Sequence, residues 1–149
     1  PTFKSYMKLI SHRGNLKGPN PEQENNPDYI DGALGQGYDC EIDIRIIDNK
    51  MYLGHDNPIH LIDVDWLHPR RDSLWIHCKD LNIFSKFNTG YNKFNYFFHD
   101  SDLGVLTSLS YIWSVNNVKN GILVMPELFN TKPDKYTLGV CSDYIEDYK

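Results

Sequence analysis

The sequence predicts an α/β fold, a small TIM-type β/α barrel whose outer helices are reduced or missing. Two observations predict the barrel and a third predicts its reduction. Short apolar stretches alternate with polar, Gly- and Pro-containing punctuation along the chain, the pattern of β/α units. The side chains able to do chemistry fall where those stretches end, and barrels build their sites at strand ends. The length, 149 residues, suits one domain over 1–149 with a real core. Eight units would leave roughly 19 residues each, against about 30 for a full βαβ motif. An incomplete or open barrel is the alternative architecture.

The first strand is expected over 7–11 (MKLIS), ending at His12-Arg13-Gly14. Residues 15–24 hold Gly18, Pro19 and Pro21 and read as a loop. A helix over 28–36 follows, with Pro27 at its first turn and Gly37 just past its end. The segment 38–47 (YDCEIDIRII) reads as a strand, 48–50 as a tight turn, and 51–54 (MYLG) as the return strand of a hairpin that delivers His55-Asp56. Further strands are expected over 74–79, 95–99, 111–115, 122–125 and 138–142, with brief helices over 62–67 and 81–88.

Hydrophobic residues make up 40% and charged residues 23%, a globular rather than a disordered composition. Fifteen Lys and Arg stand against 20 Asp and Glu, a net charge of −5, which argues against a nucleic-acid-binding face but leaves room for one local phosphate site. Cys40, Cys78 and Cys141 are odd in number and without paired spacing, so a reducing cytoplasm is the expected compartment. The first residues, PTFKSYMKLISHRG, contain no apolar run long enough for a membrane span.

Four features carry candidate chemistry. His12-Arg13-Gly14 places a proton-transfer group and a forked donor at a strand tip, although such a pair also occurs as plain structure. Glu41 and Asp43 share one face of their strand, with Cys40, Ile42 and Ile44 on the other. Two carboxylates about 7 Å apart and aimed inward repel unless compensated, and a divalent cation would compensate them; a solvated acidic face is the plainer reading. Gly54-His55-Asp56 supplies a second histidine, and phosphodiester cleavage wants one group to take a proton and one to give it. His77 and Lys79 share a face while Cys78 points away, and a lysine in a barrel mouth calls for an anion such as phosphate.

Taken together, His12-Arg13-Gly14, Glu24-Asn25-Asn26, Glu41-x-Asp43 and Gly54-His55-Asp56 resemble the glycerophosphodiester phosphodiesterase family over about the first 60 residues, and more weakly through His77-x-Lys79. The resemblance implies a β/α barrel, a divalent metal ion (magnesium or calcium) and hydrolysis of a small-molecule phosphodiester to an alcohol and a phosphomonoester. It matches His12 and His55 to the catalytic histidines, Glu41 and Asp43 to metal carboxylates, and Arg13 and Lys79 to phosphate contacts. Glu24 corresponds to the glutamate of the family's Glu-Asn pair, with a supporting role at the substrate site. His77 stands where the family has a third metal carboxylate, and histidine suits magnesium or calcium poorly. A softer metal, or recruitment of Glu127, would resolve that departure. Only 57–73 separates His55-Asp56 from the next strand, which leaves no room for the family's inserted subdomain and its glycerol pocket. Two other readings compete: a non-catalytic phosphate-ligand binding protein on the same barrel, and an acid-faced α/β interaction module.

Overall fold

β2 (Asp39–Ile47) is the hub of the sheet, because its nine residues are enough to pair with three neighbours. Its first half runs parallel to β1 (Lys8–His12), its second half antiparallel to β3 (Lys50–Leu53), and its opposite edge parallel to β5 (Leu74–Cys78). The computed structural model describes residues 7–91 and 93–149. From β2 the sheet extends one way through β5 to β6 (Asn95–Phe97), and the other way through β1, β10 (Gly139–Ser142), β9 (Gly121–Val124) and β8 (Ile112–Ser114) to β7 (Gly104–Leu106). A further strand, β4 (His60–Ile62), completes the hairpin begun by β3. Among the described residues, the β2–β3, β3–β4 and β7–β8 pairs are antiparallel and the others parallel.

This curled, mixed half-barrel corrects the expectation of a TIM-type barrel with a helix after each strand. Two helices exceed two turns, α1 (Pro27–Gly35) and α3 (Leu81–Gly90), whereas α2 (Val64–Leu67) and α4 (Pro126–Phe129) are single turns. A hairpin and a short 3₁₀ segment (His68–Ser73) occupy much of the stretch between β2 and β5, and six residues, 115–120, link β8 to β9 without a helix. The physical reason lies in the connections: a crossover helix needs about a dozen or more residues, and the six between β8 and β9 and the short turns after β2 and β3 leave no room for one. The open alternative lies nearer the observed fold.

Local chemistry accounts for the elements that were legible. Asn26 caps α1 by accepting the Asp28 amide, with Pro27 in the first turn. Asp80 caps α3 through the Ile83 amide, and its other oxygen accepts from the Ile46 amide, which ties α3 to β2. The expected helix over 62–67 begins later, because Ile62 pairs with Met51 in the sheet and Asp63 then caps α2 through the Trp66 amide. β7 and α4 carry little periodic signal, being three and four residues long.

Strand alternation divides the core into two layers. Cys40, Ile42 and Ile44 of β2 with Leu74, Ile76 and Cys78 of β5 face outward and are covered by Ile30 of α1 and Ile83 and Phe87 of α3. Ile10, Trp75, Phe97, Trp113, Ile122 and Cys141, one from each of six strands, fill the concave side. Burying each large side chain contributes about 1.5–3 kcal/mol, so both layers are substantial. Trp113 belongs to this concave packing, stacked 5.5 Å from Trp75. No helix among the described residues is long and apolar enough to cross a membrane.

Among the described residues no ladder joins β6 to β7. Ser108 holds the two edges together instead: its amide donates to the Tyr96 carbonyl (2.8 Å), while its hydroxyl accepts from the Tyr96 amide and donates to the Phe94 carbonyl, both at 2.9 Å. Ser108→Ala should therefore cost about 1–3 kcal/mol and accelerate hydrogen exchange at the Tyr96 amide. Unchanged exchange there would show that the seam does not depend on this hydroxyl.

Candidate functional site

Strand register assembles the site. β1 and β2 pair His12 with Glu41, β2 and β5 pair Asp43 with His77, and the β1–β10 register, which matches Ser11 with Ser142, brings Asp143 beside His12 at the next position. These side chains form a polar layer on the concave face, above the apolar packing of Ile10, Trp75 and Phe97.

Glu41 and Asp43 are buried, and each keeps one oxygen, Oε1 and Oδ1, without a hydrogen-bond donor. His77 Nδ1 stands 3.4 Å from Asp43 Oδ1 and 3.8 Å from Glu41 Oε2, contacts of opposite charge only when the ring is protonated. Glu41, Asp43 and His77 each offer one ligand atom within 4.8 Å of the others. Two buried carboxylates, each with an unpartnered oxygen, and an imidazole nitrogen close to both fit a divalent cation, because together they supply negative charge and lone pairs.

The turn after β1 brings a cation over this layer. Arg13 takes a left-handed conformation (φ 60°), and Gly14 follows at φ 98°, where a Cβ would lie 2.5 Å from the Tyr29 ring. Arg13 Nε thereby reaches Asp43 Oδ2 at 2.9 Å, and its Nη1 donates to Glu24 Oε1 at 3.2 Å. Glu24 thus holds the Arg13 guanidinium. Asn25 adds a clamp that the sequence reading did not assign: its side chain donates to Asp43 Oδ2 and accepts from the Asp43 amide, both at 2.9 Å.

Asp143 was also missed. Its Oδ1 lies 2.7 Å from His12 Nδ1 and accepts from Asn15 Nδ2 at 2.9 Å. The sequence offered only a carboxylate following a strand expected over 138–142, with no sign of its partner 131 residues away. Glu127, the fallback metal ligand, is committed elsewhere: it accepts from Ser142 Oγ (2.8 Å) and the Asp143 amide (3.1 Å), bracing the Asp143 loop.

His55 lies at the rim, with 41% of its side chain exposed. Gly54 precedes it at φ 155°, where a Cβ would sit 1.8 Å from the Asn57 carbonyl, and Arg45 donates to the Gly54 and His55 carbonyls. His55 Nδ1 is 2.8 Å from Asp56 Oδ1. Lys79 makes no ion pair among the described residues, and its amide donates to the Ile44 carbonyl. A roomier cavity of about 670 Å³ lies between the β3–β4 hairpin, α2 and α3, lined by Met51, Leu61, Trp66 and Tyr91. Its lining is mostly apolar and, although it includes Lys50, Asp63 and Lys86, it lacks the clustered carboxylates and imidazoles of the concave layer.

Charge is distributed unevenly. Burial opposes ionisation of Asp43, but His77, Arg13 and the Asn25 amide outweigh it and hold its pKa below the ordinary value. Burial and the neighbouring Asp43 charge instead push Glu41 up to about 7. Burial disfavours the charged form of His12, yet the bond to Asp143 and the charge of Glu41 raise its pKa. No family model, curated protein or solved structure matches this chain.

A raised carboxyl pKa has a definite sign: the folded state favours protonated Glu41, so this contribution is fully present below pH about 4.5 and is lost as pH rises through about 7. In EDTA, Glu41→Gln should match the parent near pH 4.5 and exceed its stability above pH 7 by roughly 1–3 kcal/mol. A saturating divalent cation should reverse that order. Denaturation across this pH range measures both effects, and a pH-independent difference between the proteins would contradict the assignment of strain to Glu41.

Proposed function

We propose that the chain is a metal-dependent phosphodiesterase that hydrolyses a small or exposed phosphodiester to an alcohol and a phosphomonoester. One observation carries the reading. Two histidines, His12 and His55, each have Nδ1 tethered to an aspartate, and both belong to the neighbourhood of a carboxylate pair with unpaired oxygens. Tethering Nδ1 leaves Nε2 for proton transfer in a fixed ring orientation, as general acid–base catalysis needs.

A divalent cation held by Glu41, Asp43 and His77 would supply positive charge to the phosphoryl oxygens. The remaining roles belong to side chains. Arg13, anchored by Glu24 and Asp43, is a fixed positive charge beside the cluster, and Lys79 is a cation with free donors. Burial and the charges of Arg13 and Lys79 lower the pKa of His55, partly offset by Asp43. His55 is therefore neutral near pH 7 and takes the proton from the attacking water as its oxygen bonds to phosphorus. His12 then gives a proton to the departing alkoxide as the second P–O bond breaks. With the roomy apolar cavity elsewhere and the polar layer mostly buried, the fold suits a substrate that presents its phosphate at the rim. The free, buried thiols of Cys40, Cys78 and Cys141 support a reducing compartment such as the cytoplasm.

A second reading, a phosphate-ligand binding protein without turnover, is favoured by the direction of His12 Nε2, which faces Glu41 Oε1 at 3.8 Å rather than an open rim. Turnover separates the two. Alcohol release from bis-para-nitrophenyl phosphate and glycerophosphocholine should depend on added divalent cation, stop with EDTA, and fall about 10²-fold or more in His12→Ala and in His55→Ala. Folded protein that turns over none of these esters with any cation would decide for the binding protein.

The acid limb of the rate profile supplies an independent check. Since neutral His55 accepts the proton, kcat/KM should hold at neutral pH and decline only below the ordinary imidazole value of 6.5. Lys79→Met should move that limb upward, because it removes one of the charges that keep His55 neutral. A limb unmoved by the substitution would remove His55 from the base role.

A further inference from the structure

We propose that the Glu41–Asp43–His77 cluster selects a first-row transition ion, of the kind represented by Mn²⁺ and Zn²⁺, over Mg²⁺ and Ca²⁺, and that His77 sets the preference. The inference deepens the proposed function and rests on its use of this cluster as a cation site.

The ring of His77 is oriented for the task. Its Nε2 lies 3.4 Å from the His99 carbonyl, a long contact in which the oxygen can only accept, so the tautomer protonated on Nε2 has a partner there. That tautomer leaves the Nδ1 lone pair aimed at Asp43 Oδ1 and Glu41 Oε2. Three lone-pair atoms facing one another in a buried cluster repel unless a positive charge lies between them, either a proton on Nδ1 or a cation. A proton on Nδ1 would serve Asp43 Oδ1 and leave Glu41 Oε1 without a donor. A cation can satisfy all three groups at once.

The neighbouring rings restrict His77 to this orientation. Phe97 packs against it at 5.0 Å and 20°, and His99 stacks on it at 4.4 Å and 9°. A carbonyl contact to the distal nitrogen combined with a packed ring is the arrangement that fixes the tautomer of a ligating histidine.

Donor chemistry then discriminates among ions. Mg²⁺ demands a near-ideal oxygen octahedron and Ca²⁺ takes six to eight oxygens, so neither gains much from an imidazole nitrogen. Mn²⁺ and Zn²⁺ accept mixed nitrogen and oxygen sets. Donors about 2.1 Å from one ion stand about 3.0–3.5 Å apart, and the 3.4 and 3.8 Å separations at His77 need little contraction to reach that spacing.

The test is equilibrium dialysis of the full chain against Mn²⁺, Zn²⁺, Mg²⁺ and Ca²⁺, without substrate, beside His77→Asp. The unaltered protein should bind Mn²⁺ and Zn²⁺ at least tenfold more tightly than Mg²⁺ and Ca²⁺, and His77→Asp should shrink that ratio fivefold or more. Pulsed electron paramagnetic resonance of Mn²⁺ on the unaltered protein should show coupling to a directly bound nitrogen, a readout independent of whether the variant folds. Equal affinity for Mg²⁺, an unchanged ratio in His77→Asp, or Mn²⁺ without nitrogen coupling would each overturn the proposal. Because no turnover is measured, a protein inactive on every ester could still show the preference, and an active enzyme that prefers Mg²⁺ would lose this inference alone.

Discussion

Two carboxylates on one buried face of a single strand set the terms for the rest of this molecule. Glu41 and Asp43 are two residues apart on β2, which is enough to aim both inward and too close for both to ionise without help. Isolated buried carboxylates cost several kcal/mol each. The surroundings respond residue by residue: Arg13 and Asn25 close on Asp43, His12 and His77 stand beside the pair, and Asp143 in turn holds His12. Even so, one oxygen on each carboxylate has no donor. The network thus holds charge on Asp43 while Glu41, raised to about 7, is left as the carboxylate that takes up a proton most readily.

The half-barrel makes this possible by stacking an apolar layer under a polar one. Trp75, Phe97 and Trp113 pack across the concave side and exclude water from beneath the carboxylates. His12, His77 and Asp143 lie one pleat beyond Ile10, Trp75 and Cys141, and Glu41 and Asp43 face them from the first half of β2. A loop reaching in from the side could not hold such groups as closely, because its own backbone would require partners. Parallel pairing of β1, β2 and β5 fixes the spacing of His12, Glu41, Asp43 and His77, β10 delivers Asp143 just past its end, and Arg13 depends on a turn. That turn is strained at Arg13, and its backbone is secured by the Arg13 amide on the Glu41 carbonyl and the Asn25 amide on the Arg13 carbonyl.

The parts of this site that were legible in the sequence are those encoded within a strand or a turn. Alternation alone places Glu41 with Asp43 and separates them from Cys40 and Ile42, and the structure has both sets where the period of two puts them. His77 sharing a face with Lys79 follows from the same rule. Asp143 was not legible, because its role depends on β1 pairing with β10, a contact across 131 residues. Asn25 escaped for a similar reason: its value arises when a left-handed backbone folds the loop back onto β2. The fold class failed at the connections. Apolar stretches show where strands lie, but not whether the next segment crosses over as a helix or returns as a hairpin, and at Leu61–Ile62 the residue pattern suits either. Closing strands one after another by helices was the regular solution; the short connections leave no room for it everywhere.

The contrast between the two tethered histidines gives the layer its direction. His12 is buried, its aspartate partner comes from a neighbouring strand, and Asn15 and Glu127 hold that aspartate in place through its side chain and amide. His55 is open to solvent, its aspartate is the next residue, and its backbone is secured by Arg45 reaching along β2. One ring is thus built into the sheet and the other is suspended at the rim by a strained glycine turn. A purely structural histidine would gain nothing from the second arrangement, since an exposed ring contributes little to packing and an adjacent exposed aspartate contributes little to stability. The two rings therefore differ in what holds them, His12 by side chains from distant parts of the chain and His55 by its own neighbouring residue and the backbone around it.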